Sequence, residues 1–460
     1  INSQAFRRIL KNTMAKAKAQ IACGIKIAGS PEDTIEQAPA PETVAAMPEH
    51  IPLLKARLLA KTGDRIKIGT PLYQDKKDEN IVFPSPGCGE IIDIRYGHRR
   101  VISEIVIRLD KKEDSETHRA YTRQELSGLG RDRLVKILLE AGIWPFIRDL
   151  VYRCPAGPKE SPAAVWVGLD SLDPFHPRPH IYMKTEKDRE YFETGLLVLQ
   201  KLCDKVFVCK SRNTAPHNKD IEKHVTHRVP ERYPAEEPGV VHYHYKTDPA
   251  ENMAWFITGQ DTVLLGEFME TGKFPVRRTV AVAGAQIQSR YVATRIGAPL
   301  KVLVREKTLP EQTRFIAGGL FRGYSVSENS YLGLYETGVF LAKEPGKREL
   351  LGFMRPGANK PTCSRAFLSV LNPRPMTVDT GIHGSQRACV NCGTCTRVCP
   401  VDILPQFTYK CILADDIEEA LSHGLLDCVE CGLCSYACPS KIELTQTFRQ
   451  TKQAYFRGRI

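Results

Sequence analysis

No apolar run in this 460-residue sequence approaches the roughly 20 residues that a spanning helix needs, so the chain is not expected to cross a membrane. No G-x-G-x-x-G follows a predicted strand, and no Walker A lysine loop occurs. A dinucleotide site built on glycine-rich turns is therefore not expected. Recognition-helix and aromatic-basic motifs are missing and the basic residues are dispersed, which leaves nucleic acid without support as a partner. Arg7, Arg8, Lys11, Lys16 and Lys18 are followed by no continuous apolar stretch, so the N-terminal segment does not read as a secretory signal.

What the chain does hold is cysteine in a strict pattern. Of 15 cysteines, eight fall into two runs: Cys389-Val-Asn-Cys392-Gly-Thr-Cys395-Thr-Arg-Val-Cys399-Pro400 and Cys428-Val-Glu-Cys431-Gly-Leu-Cys434-Ser-Tyr-Ala-Cys438-Pro439. Each is C-x2-C-x2-C-x3-C-P, the spacing with which bacterial ferredoxins hold [4Fe–4S] clusters. Three cysteines can wrap one face of an iron–sulfur cube, while the proline after the fourth turns the chain away toward the other cluster. The crossed rule for two-cluster ferredoxins assigns Cys389, Cys392, Cys395 and Cys438 to one cluster, and Cys428, Cys431, Cys434 and Cys399 to the other. Two zinc knuckles are the alternative, since C-x2-C pairs also mark zinc sites; zinc, however, takes four ligands in two pairs, and disulfides fit the spacing less well still.

The other seven, Cys23, Cys88, Cys154, Cys203, Cys209, Cys363 and Cys411, have no framework spacing, which points to a reducing compartment and hence the cytoplasm. With 42% hydrophobic and 26% charged residues the composition is that of a soluble globular protein, long enough for several domains. The formal net charge is +12. Two oxidised clusters at about −2 each would bring the loaded protein to about +8, which suits an acidic partner or an anionic membrane surface.

In chain order, residues 1–22 read as a solvated basic extension or, alternatively, an amphipathic helix docking on a membrane or partner, followed by a short strand at Ile21–Ala28. Gly29–Pro52, rich in Pro, Ala and Glu, reads as a linker. Short runs with Gly/Pro punctuation between Ile51 and Leu109 predict a small β-domain. Its phrases Gly63-Asp-Arg-Ile-Lys-Ile-Gly69-Thr-Pro71-Leu and Ser85-Pro-Gly-Cys88-Gly-Glu-Ile-Ile92 resemble the halves of a biotinyl/lipoyl-type barrel-sandwich domain. The loop Asp75-Lys76-Lys77-Asp78 does not match the modified-lysine hairpin. Arg131–Ala141 predicts a helix stopped by Gly142. Strand Ala163–Leu169, helix Glu186–Leu202 and strand Lys205–Cys209 predict a βαβ unit of a Rossmann-like α/β domain. His242 and His244 are expected on one face of a strand, as hydrogen-bonded packing or, alternatively, as metal ligands. From Arg278 the text is β-rich again, including Thr279–Gly284, Leu300–Val304 and Phe315–Gly323, with Gly318, Gly319 and Gly323 as turns. Asp415–Leu421 and Thr445–Phe456 predict helices, the latter with Arg449, Lys452 and Arg457 exposed; helical text between the cysteine runs implies an α-helical ferredoxin module.

Residues from about 21 to 370 resemble the A subunit of the sodium-translocating NADH:quinone reductase (Nqr). The matching stretches are Gly24–Pro31, Phe83–Gly89, Gly142–Trp144, Asn252–Trp255 through Gln260-Asp261, and Ser364–Leu368. Cys389–Lys452, including Ile403-Leu-Pro-Gln406 and Cys438-Pro-Ser-Lys-Ile442, resembles the two-cluster module of the C subunit of Rnf complexes. The resemblance implies a β-grasp domain of the soluble-ligand-binding (SLBB) kind after the α/β core. It also implies partner subunits in a membrane-bound, ion-translocating oxidoreductase, with quinone at a partner interface left open. The Rnf-type subunit binds FMN and NADH through a Gly-x-Gly-Gly-Ala-Gly-Phe-Pro loop. That loop is absent here, so FMN and NADH are not expected; a degenerate site using Arg178 or Lys184 is the alternative.

The expected architecture is α+β and multidomain: a basic extension and linker (1–50), a barrel-sandwich hybrid (51–112), a Rossmann-like α/β domain (113–275), a β-grasp SLBB-like domain (276–355), and a linker with an α-helical module for two [4Fe–4S] clusters (356–460). The expected function is single-electron relay, peripherally on the cytoplasmic side of the membrane. A scaffold subunit with structural clusters, or an NADH-oxidising subunit of the Rnf C type, are the alternatives.

Overall fold

The computed structural model describes residues 27–458 apart from 172, 213–218, 285–286, 306–308, 310–311, 345–353, 355, 359–367, 373 and 382–384. The basic extension, nearly all of the strand expected at Ile21–Ala28, and Cys23 and Cys363 lie outside the described residues.

Two small antiparallel sheets make the first unit. One orders Thr43–Ala46, Ile102–Leu109, Gly89–Tyr96 and Arg65–Ile66; the other orders Ala56–Leu58, Pro71–Asp75 and Val82–Pro84. The linker reading of Gly29–Pro52 does not hold. Thr43–Ala46 pairs with Ile105–Arg108 and buries Val44, Ala45 and Ala46, while Ile35–Gln37 runs parallel to Tyr291–Ala293 in another sheet. Both pairings are long-range, and small apolar residues among Pro and Glu carry little local strand signal. The Asp75–Asp78 hairpin is docked: Lys77 Nζ sits 3.9 Å from the centre of the Phe456 ring in the last helix.

The second unit is a sheet ordered His227–Val229, Val206–Ser211, Val165–Gly168, Trp255–Thr258 and Arg148–Asp149, parallel except for its last edge. Helix Glu186–Leu202 provides the expected crossover, started by a capping box between Thr185 and Asp188. It packs on helix Gly259–Thr271 through two glycines: a Cβ on Gly266 would lie 1.8 Å from Tyr191 O, and one on Gly195 2.2 Å from Thr262 O. The chain steps outward from Val165–Gly168 to one side of the sheet, then returns to its other side at Trp255–Thr258. The C-terminal ends of those two strands therefore flank a switch point, where open α/β sheets have a crevice.

His242 and His244 lie on helix Pro238–Tyr245, not on a strand. Pro238 at the first helical turn starts it. Two residues apart on a helix, the histidines diverge. Trp166 Nε1 donates to His242 Nδ1 at 3.1 Å, and His242 Nε2 lies 2.9 Å from Glu251 O, whereas His244 Nε2 lies 2.8 Å from Pro400 O in the cysteine module. Packing is their role.

The third unit is a six-stranded sheet ordered Ile35–Gln37, Arg290–Arg295, Arg277–Gly284, Gly338–Lys343, Thr313–Ala317 and Tyr324–Val326. Leu300–Val304, expected as β text, is a short helix after Pro299, with Leu300, Leu303 and Val304 buried at helical spacing. Gly318 and Gly319 adopt positive φ, as turns there require, but Gly323 does not.

From Cys389 onward the described residues form helices and loops, with no strand. Helix Ile417–Ser422 is capped by Asp416, and helix Leu444–Phe456 closes the chain. Val398, Val401, Leu425 and Phe448 form a small core with the cysteines and with Val240 of the α/β unit.

Candidate metal centre

The two cysteine runs fold as matched loops. Left-handed backbone recurs at equivalent offsets: Asn391 and Glu430, Gly393 and Gly432, Asp402 and Lys441. Short helices Thr394–Val398 and Leu433–Tyr436 follow the glycines. Such turns aim backbone N–H groups at a common centre, as anionic sulfur ligands require. The N–H groups of Glu430 and Leu433 point at the Cys428 and Cys431 sulfurs, and those of Val401 and Ile403 at the Cys399 sulfur.

The neighbours of each thiol cross between the runs. Burial pushes the Cys395 thiol up, and Cys392, Cys438 and Cys389 push the same way. Burial likewise raises Cys434, with Cys431, Cys428 and Cys399 as its thiol neighbours. Cys399 is raised by burial and by Cys431 and Cys428. Cys438 thus sits with the first loop, and Cys399 with the second. Among the described residues no three His, Cys, Asp or Glu side chains converge to hold a single metal ion.

The surroundings of the two loops differ. In the first, Cys392 and Val390 are exposed and Cys389 is half-buried. Its polar contacts are local: Cys395 Sγ lies 3.2 Å from Gln406 Oε1, and exposed Arg397 donates to Thr394 Oγ1 at 3.0 Å. In the second, Cys428, Cys431 and Cys434 are all buried, and donors from outside the loop hold its carbonyls. Lys452 Nζ donates to Cys428 O at 3.0 Å, Arg153 to Val429 O at 3.0 Å, and Tyr233 Oη to Cys431 O at 2.7 Å. Lys452 also pairs with Glu430 at 2.9 Å, and Arg449 meets the other carboxylate oxygen at 2.9 Å. Coulombic attraction to Lys452, Arg153 and Arg449 outweighs burial and holds Glu430 down at about 2.

Lys452 was expected at an exposed position; its side chain is 2% exposed. Leu444, Phe448 and Lys452 fall four residues apart, on the buried face of the last helix. That spacing was the available signal, since a lysine on an apolar stripe needs an anion. Arg449 is half-buried, and Arg457 is exposed as expected. A second clamp lies inside the body behind the inner loop, between the α/β unit and the six-stranded sheet unit, and one of its members, Arg153, is the donor to Val429 O. Glu237 accepts from Arg153 at 2.6 Å and from Arg322, and these guanidinium groups overcome burial to hold its carboxyl at about 2.

Next to this clamp a cavity of about 1100 Å³ opens at the switch point of the parallel sheet. Gly168, Asp170 and Gly259 line it at the strand ends, and Glu430 and Lys452 form part of its wall. Arg178, considered for phosphate binding, is paired with Glu231 at 3.0 Å, and Lys184 is exposed. Asp170 and Asp173 are both buried there.

Three family descriptions match the body: "NqrA N-terminal barrel-sandwich hybrid domain" over residues 20–110, "NqrA second alpha/beta domain" over 129–274 and "NQRA C-terminal domain" over 279–328. The A subunit of the Na(+)-translocating NADH-quinone reductase of Tolumonas auensis is 33% identical over 414 residues, covering 88% of this chain and 90% of the relative. That of Cellvibrio japonicus is 32% identical over 409 residues with the same coverage. The chain belongs to the NqrA family, the A subunits of Na(+)-translocating NADH-quinone reductase. Its relatives are subunits of an oxidoreductase. Alongside the NqrA domains this member carries a "4Fe-4S dicluster domain" matched over residues 382–439. Among solved structures, an NAD+-reducing [NiFe]-hydrogenase in the air-oxidized state aligns at 10% identity over 50% of this chain and 52% of that one, with a TM-score of 0.34, which carries no argument.

Proposed function

We propose that the chain is the electron-relay subunit of a membrane-bound, ion-translocating oxidoreductase of the Nqr/Rnf kind, passing single electrons between membrane partners and a soluble donor or flavoprotein subunit. Two [4Fe–4S] clusters would supply the one-electron chemistry. The outer would be held by Cys389, Cys392, Cys395 and Cys438, the inner by Cys428, Cys431, Cys434 and Cys399. The observation that carries this reading is the crossed set of thiol neighbours on two matched left-handed loops with N–H groups turned toward sulfur.

The finer architecture goes with it: a Rossmann-like second domain and a β-grasp third domain, on the boundaries 113–275, 276–355 and 356–460, with the first domain extended ahead of residue 51 to take in Thr43–Ala46 and the third joined by Ile35–Gln37. We place the subunit on the cytoplasmic side of the membrane, held there by partner subunits. No described helix is long and apolar enough to cross a membrane. We expect no stoichiometric FMN or NADH. The loop after the first strand offers one glycine, Gly168, followed by the buried carboxylates Asp170 and Asp173, where a phosphate would need a row of backbone N–H groups.

Anaerobic purification of the full chain with iron counting, followed by an EPR-monitored redox titration, tests the relay. Two reducible cluster signals are expected. Signals that stay oxidised at every potential the donor can reach would leave only a structural role.

A further inference from the structure

Reducing a cluster adds one negative charge to its site, and burial away from water opposes this unless fixed positive charge or N–H dipoles compensate. The inner site is the more buried, so its compensation has to come from the protein. The matched position in the two loops shows where. Exposed Asn391 stands in the outer loop, and buried Glu430 in the inner. Glu430 is a like charge beside the site. Lys452, reaching it from the last helix with its side chain buried, lies 3.0 Å from the carbonyl of the ligand-bearing residue Cys428. A charge pair with one member on the loop and the other against its first cysteine cannot be silent at this range in a medium of low dielectric.

We propose that Lys452 and Glu430 are an opposed pair of positioning residues that set the reduction potential of the inner site, Lys452 raising it and Glu430 holding it down. This rests on the relay reading. Lys452 acts in two ways. Its charge stabilises the added electron, and its bond to Cys428 O, together with Arg153 on Val429 O and Tyr233 on Cys431 O, keeps these carbonyls turned outward. Reduction of the inner site would add one electron from its redox partner in the relay, with no bond made or broken and no proton transferred. At the matched outer position uncharged Asn391 stands in place of Glu430, and the cations near the outer ligands are exposed Arg397, which is screened, and half-buried Lys441 beside Cys438.

The test compares Lys452→Gln and Glu430→Gln in the full, cluster-loaded chain, with both midpoint potentials read by EPR. Lys452→Gln is expected to lower the inner midpoint and Glu430→Gln to raise it, with the outer midpoint unmoved in both. No shift, shifts of the same sign, or both clusters moving together would overturn the proposal, since a structural role loosens the module in either variant alike. Should Lys452→Gln fail to retain the inner cluster, Glu430→Gln decides alone: a rise supports the proposal and its absence overturns it. Unreduced clusters in the unaltered chain would instead remove the relay itself, a result distinct from all of these.

Discussion

The two cysteine runs carry the same spacing and the same left-handed turns, yet one faces solvent and the other is clamped into the body. Ligand spacing and loop conformation follow from the cube that has to be wrapped. What lies behind each loop is free to differ, and it is this that separates two runs of identical spacing. Around Cys389–Cys395 the described polar contacts come from the same stretch, from Thr394, Arg397 and Gln406. In the inner loop they come from Arg153, Tyr233 and Lys452, from three separate parts of the chain.

Removing a ligand from one run, and asking which site fails, is the most direct challenge to this contrast. Cys399→Ser alters the outer run in sequence, but the expected loss is of the inner cluster, roughly half of the iron. Iron counting with EPR checks it. Loss of the outer signal alone would mean that each run closes its own cluster.

Next in size is the Glu237 clamp inside the body, whose Arg153 also donates to Val429 O of the inner loop. Glu237→Ala leaves Arg153 and Arg322 facing each other without their shared anion, and breaking a buried pair of this kind costs about 3 to 5 kcal/mol. Denaturant unfolding of the loaded protein should show that loss, together with faster proteolysis around the inner loop. The pH dependence follows from the same carboxyl. Its folded value, about 2, lies below its ordinary one of 4.5, so the stability it contributes is complete above about 4.5 and disappears as pH falls toward 2. A variant with the clamp removed should lack that acid-side decline.

Asp173 works in the opposite sense. Burial pushes it up from its ordinary 3.8 to about 7, with Arg322 only partly offsetting this. The folded state therefore holds its proton more tightly than the unfolded one. Its contribution is most favourable below about 4 and is lost as pH rises to about 7. Asp173→Asn, which cannot ionise, should be the more stable protein at pH 8 and similar to the parent at pH 4, by on the order of 1 to 3 kcal/mol. An unchanged difference across that range would show that Asp173 is not buried as a carboxyl.

How much of this could be read beforehand depends on whether the signal is local. The cysteine spacing and the run Glu186–Leu202 are self-contained, and they appear where the sequence places them. Thr43–Ala46 was missed because its partner strand lies about 60 residues away and its own residues are small. Leu300–Val304 was misread because five apolar-rich residues fit either period; Pro299 and the i, i+3, i+4 burial decide for a helix. The inner loop's clamp was the least legible part. Glu237, Arg153 and Arg322 are ordinary charges until the α/β unit and the six-stranded sheet unit pack together, and only Lys452 leaves a trace, by its place on the Leu444–Phe448 stripe.

The smallest expected effect comes from making the outer loop imitate the inner one. Asn391 and Glu430 occupy the same left-handed position, so Asn391→Asp adds a carboxylate there without a backbone cost, because Asp tolerates that conformation nearly as Asn does. Unlike Glu430, it would stand in water with no lysine against it. The change in stability should stay within about 0.5 kcal/mol, as for exposed substitutions in general, and both clusters should be retained. The outer midpoint should fall slightly at low ionic strength and recover as salt is added, because the Debye length shrinks from about 30 Å at 0.01 M to about 3 Å at 1 M. A fall that persists in high salt would mean the outer site is as enclosed as the inner, and the contrast between the two runs would then lie in Lys452 and Glu430 alone.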